Sequence, residues 1–125
     1  MRTSVSLLRE LVENIRSAGL EWAARRRELA ALQNRRKAVQ VEIRDRLVAS
    51  AVARGERLSQ TAASDDARAH PDYVSCLDEI ALKQFEVDAA EVAYTTARAL
   101  FHAAITGAEE ASPPTAEVYR DRPAA

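Results

Sequence analysis

At 125 residues the chain has room for one small domain, and with 3 Gly and 4 Pro it lacks both the turns of a many-stranded β domain and the composition of a collagenous chain. Apolar residues make up 47 %, but 26 of the residues are Ala, which forms helix well and adds little burial, so long slender helices over a thin core are predicted. The net charge of −1 hides a split: residues 1–60 carry 13 Lys and Arg against 7 Asp and Glu, and residues 61–125 carry 5 against 12. Such a division fits two complementary surfaces of one hairpin, or a nucleic-acid face on the basic half. The chain has no apolar run of about 18 residues and no apolar block directly after Met1 and Arg2, which argues against a membrane span and a secretory signal. Cys76 stands alone, excluding an internal disulfide framework and a multi-Cys zinc site, and a reducing, cytoplasmic setting is expected.

Leu8, Leu11, Ile15, Ala18, Trp22, Leu29, Leu32, Val39, Ile43 and Leu47 recur at helical spacing, predicting one amphipathic helix of coiled-coil character over 5–53. Arg25 and Arg36 fall where that stripe expects apolar groups. About 49 residues at 1.5 Å each span roughly 75 Å, so this helix needs a partner along its length. Gly55 suits the left-handed cap that ends it. Ser59 is placed to cap a short helix over 60–68, and Pro71 suits the first position of a third helix. That helix is expected to reach Ile105 or Thr106 and stop at Gly107. Its predicted stripe is Tyr73, Leu77, Ile80, Val87, Tyr94, Phe101 and Ile105, flanked by Phe85, Val92 and Leu100, with Gln84, Glu91 and Arg98 interrupting it. Residues 108–125, with Pro113 and Pro114, have no helical period and are expected to form a disordered tail beyond a hairpin domain over 1–107.

The expected fold is therefore all-α: a long antiparallel two-helix hairpin, coiled-coil-like, with a short helix in the connection. If Ala53 meets Pro71, facing positions sum to about 124 for straight helices of equal rise. Arg36 then approaches Asp88 and Glu91, Arg25 approaches Arg98, and Ile105 or Thr106 meets Ala18 or Gly19. Residues 4–17 would project past their partner, exposing Leu7, Leu8, Leu11, Val12 and Ile15 as an oligomer interface, with a dimer the expected assembly.

Arg25, Arg26 and Arg27, with Arg35, Arg36 and Lys37, are the candidate nucleic-acid contacts, because the Arg fork matches phosphate oxygens. Consecutive helix positions point in different directions, so neither triplet is one focused patch. Trp22 is the only aromatic residue in the first helix, which supports base stacking poorly. His70 and His102 lack the spacing of convergent ligands, so no metal or other cofactor is expected. Cys76 has no His within a turn, and Gly is too scarce for a phosphate loop; with no catalytic constellation, no enzyme is expected.

Leu47-Val48-Ala49 through Gly55, then Ala67-Arg68-Ala69-His70-Pro71-Asp72-Tyr73, then the Ala-rich run with Tyr94 and Arg98 resemble small helical-hairpin proteins of bacteriophages and prophages over about residues 45–107. The resemblance implies a helical hairpin found among phage replication and recombination genes and transfers no functional residue. Two functions remain: a self-associating adaptor or structural protein with an unidentified protein partner, or an accessory nucleic-acid binder in phage replication and recombination.

Overall fold

The computed structural model describes residues 4–110, with side chains through 107, as three helices: α1 (Ser4–Ala53), α2 (Gln60–Ala69) and α3 (Pro71–Glu110). No strand occurs among the described residues. α3 carries on through the expected stop at Gly107, where a helical backbone costs Gly only conformational entropy. The remaining expected tail, 111–125, lies outside the described residues.

The chain ends of the helices follow local chemistry. Gly55 has φ +71°, its N–H donates to Val52 O at 3.0 Å, and the Glu56 N–H donates to Ala51 O at 2.9 Å. These are the two bonds of a Schellman cap, which satisfy carbonyls left free at the end of α1. Ser59 is extended, and its hydroxyl accepts from the Ala62 N–H at 3.1 Å, capping α2. The Asp72 N–H donates to His70 Nδ1 at 3.1 Å at the start of α3. Gly55→Ala is expected to lose about 1–2 kcal/mol, the cost of a Cβ in the left-handed region. Gly107→Ala, which meets open space inside a helix, is expected to gain a fraction of a kcal/mol by helix propensity, a contrast measurable by thermal melts.

The chain forms two compact units, Trp22–Ala89 and the pair of segments Met1–Glu21 and Ala90–Ala125. In Trp22–Ala89 the core is small. Ile43 is 2 % exposed and packs with Ala67 of α2 and Tyr73 of α3, while Val39 and Leu47 close around them. Leu29, Ala51, Ala63, Cys76 and Val87 are also buried. The whole stripe expected on α1 is buried or half-buried in its own unit, and Arg25 and Arg36 fill its gaps as half-buried side chains.

The stripe on α3 differs from expectation. The inward positions are Tyr73, Cys76, Ile80, Lys83, Val87 and, in the other unit, Ala90, Tyr94, Ala97 and Phe101, a strict alternation of three and four. Gln84, Glu91 and Arg98 are exposed; Cys76, Lys83, Ala90 and Ala97 occupy the steps of the stripe, so Lys83 is the charged interruption in place of those three. Leu77, Phe85, Val92 and Leu100 are exposed.

The register is also corrected. In Trp22–Ala89, Arg35 pairs with Glu79 at 3.6 Å, Glu28 with Lys83 at 2.7 Å and Arg25 with Glu86 at 3.6 Å. Arg25 thus meets an acid where a clash with Arg98 was expected. The cause is α2: Ala67 docks on Ile43, so α3 starts beside the forties of α1 and not beside Ala53. In the other unit a Cβ on Gly19 would stand 3.3 Å from Tyr94 Cε2, so this glycine makes room for the ring. Gly19 therefore faces Tyr94, not Ile105, and the expected overhang of residues 4–17 is largely lost.

Candidate interaction site

The two basic triplets disperse around α1, as 3.6 residues per turn requires. The Arg25 Nη1–H donates to Glu28 Oε2 at 3.2 Å, and the Arg26 guanidinium lies 4.4 Å from the centre of the Trp22 ring. Arg27 and Lys37 are exposed, Arg35 faces Glu79, and Arg36 is half-buried. No common patch gathers the six.

Lys83 is the residue the sequence reading missed. Its Nζ donates to Glu28 Oε2 and to Glu86 Oε2, each at 2.7 Å, joining α1 to α3 through a four-member cluster with Arg25. The Lys83 hydrogen bond holds the Glu28 carboxyl below the usual carboxylate range. The bonds to Glu28 and Glu86 raise the Lys83 ammonium in turn. The signal was present as two i, i+3 pairs, Arg25 with Glu28 and Lys83 with Glu86, but only the correct register brings them together. Their arrangement neutralises charge between helices and offers no reacting centre.

Of the residues expected at an oligomer interface, Leu8, Leu11 and Ile15 are half-buried, whereas Leu7 and Val12 are exposed. Leu8 and Val12 line a shallow depression with Val5, Arg9 and Phe101, and Ile15 lines another that shares Phe101. Leu8, Val12 and Ile15 thus lie beside Phe101 of α3. Trp22–Ala89 also carries exposed large apolar side chains on α3. There Val74, Leu77, Leu82 and Phe85 are exposed, Phe85 by 74 %.

Among the described residues no three His, Cys, Asp or Glu side chains group as a metal site, and no helix is long and apolar enough to cross a membrane. What the fold and surfaces define is an all-α protein with a small apolar core, charge pairs at the surface between α1 and α3, and exposed apolar side chains on its helices. No protein-family model, curated protein or solved structure matches the chain.

Proposed function

We propose that this chain is a non-catalytic helical interaction protein, an adaptor or structural element of the cytoplasm, whose α1 and α3 pair as an antiparallel hairpin and which self-associates. Support for the hairpin comes from the order of the charge pairs: the later the position in α1, from Arg25 to Glu28 to Arg35, the earlier its partner in α3, from Glu86 to Lys83 to Glu79. The observation that carries self-association is the imbalance between a thin core, in which four of the nine buried hydrophobic residues described are alanine, and the exposed large apolar side chains, Leu82 and Phe85 foremost. Burying such groups in a second molecule recovers hydrophobic stabilisation that the thin core lacks.

A role as an accessory nucleic-acid binder, in keeping with the phage-like resemblance, draws on the basic surplus of residues 1–60. It is the weaker reading, because Arg25 and Arg35 already have carboxylate partners and the acidic half opposes long-range attraction. Size-exclusion chromatography with light scattering, with and without single-stranded DNA at low and high salt, separates the two. The expected result is a mass of two or more chains and no DNA binding at physiological salt. A monomer at high concentration refutes self-association, and tight, salt-resistant DNA binding replaces this reading with the other.

A further inference from the structure

Within Trp22–Ala89, the inward face of α3 is one of two that its sequence offers. Tyr73, Ile80 and Val87, each seven residues from the next, belong to both. The steps between them are taken by Cys76 and Lys83, with Leu77 and Gln84 one residue further on as the competing pair. Successive residues stand about 100° apart around a helix, so a turn of α3 by about half that angle exchanges one pair for the other. Burial by itself selects the face that is not observed. Leu has more apolar surface to remove from water than Cys, and an uncharged Gln costs less to desolvate than a Lys ammonium. Yet Cys76 is buried and Leu77 is 39 % exposed, while Lys83 is half-buried and Gln84 is exposed, its Nε2 donating to Asp88 Oδ1 on the same helix at 3.0 Å.

What favours the observed face is charge. Cys76, Glu79, Lys83 and Glu86 follow one another by three, four and three residues and so share one side of α3. Each of the three charged members pairs with α1: Glu79 with Arg35, Lys83 with Glu28 and Glu86 with Arg25. The two pairs with arginine are 3.6 Å apart and open to solvent, where such contacts contribute little. Lys83 differs. Its Nζ donates to Glu28 and to Glu86 at 2.7 Å each, from the step of the stripe between Ile80 and Val87.

We infer that Lys83 is a positioning residue whose bonds to Glu28 and Glu86 select which face of α3 is buried against α1, and so which apolar side chains α3 leaves exposed. A charged group at an otherwise apolar step of a helix pair specifies one arrangement at a cost in stability. In the other unit Ala90 and Ala97 lie inward while Glu91 and Arg98 are exposed, a choice that apolar character makes unaided. Lys83 stands where apolar character points the other way.

Cys76, the only cysteine, reports the outcome, since a turn of α3 that buries Leu77 brings the thiol towards solvent. The test measures the rate at which a soluble aromatic disulfide reagent modifies Cys76 in the full chain, with circular dichroism to check that helix content is kept. Lys83→Gln makes positions 83 and 84 alike, so that only Leu77 against Cys76 is left to decide at these steps. Modification is expected to accelerate about tenfold or more, because thiol reactivity follows exposure. Lys83→Arg keeps the cation and is expected to react at close to the wild-type rate. In Lys83→Gln combined with Leu77→Ala, the gain from burying Leu77 is gone, and Cys76 is expected to be protected again. A rate that rises further in this double variant means a general loosening of α3 and overturns the inference. Wild-type protection in Lys83→Gln overturns it too, leaving the ion pair no part in choosing the face, as does a Lys83→Arg rate equal to a raised Lys83→Gln rate.

Discussion

Ile43→Ala is expected to destabilise the protein by about 2–5 kcal/mol, the range for removing a fully buried Ile and leaving a cavity. Ile43 is the largest side chain that is fully buried, and it touches all three helices of its unit: Val39 and Leu47 beside it on α1, Ala67 on α2 and Tyr73 on α3. The neighbours cannot collapse into the space easily, because Ala67 has no side chain to extend and Tyr73 is anchored near the start of α3. For a small domain, each kcal/mol moves Tm by roughly 4–8 °C, so a fall of at least about 8 °C is expected in thermal melts followed by circular dichroism. Ile43→Asp is expected to unfold the unit, since a buried carboxylate there would have no partner. Val41→Ala, two residues away but exposed, serves as control and should move Tm little. Equal effects of Ile43→Ala and Val41→Ala would show that this cluster is not the centre of stability.

The local elements were legible because each carries its own punctuation. Gly55, Ser59 and Pro71 mark the chain breaks through backbone chemistry that acts over a few residues, and the expected bounds 5–53 and 60–68 differ by one residue at one end each from α1 and α2. The stripe on α1 was legible for the same reason: its large apolar side chains repeat without ambiguity. α3 was harder, because it has apolar residues on two sides. Leu77 and Cys76, one residue apart, compete for the same step of the stripe, and size alone favours Leu77; the structure buries Cys76. Register was not legible at all. It depends on how far α2 overlaps α1, which is decided by whether Ala63 and Ala67 fit flush against the longer helix. An error of about ten in the sum of facing positions moved Arg25 from Arg98 to Glu86, hid the role of Lys83, and created an overhang at Leu7 to Ile15. Of the exposed apolar side chains on α3 in Trp22–Ala89, Leu77 was expected within the stripe and Phe85 at its margin, while Val74 and Leu82 were not singled out.

The second large effect is expected at Ala67, and it tests that account of the register. Ala63 and Ala67 are both fully buried and lie one turn apart on α2, so they form the face by which this helix docks. A ten-residue helix is not stable alone in water, so α2 owes its order to that docking and to the Ser59 cap. Ala67→Leu adds three carbons against Ile43 and Tyr73, an overpacking worth about 1–3 kcal/mol. The strain can be relieved at the weakest joint, by lifting α2 while the pairs Glu28–Lys83 and Arg35–Glu79 still hold α1 to α3. Amide hydrogen exchange over residues 62–70 should therefore accelerate about tenfold or more, with a much smaller change in α1 around Leu29. Ala69→Leu, on the exposed side of the same helix, should leave exchange almost unchanged. Uniform acceleration across α1, α2 and α3 in Ala67→Leu would mean that α2 cannot leave separately, and that the whole unit opens as one.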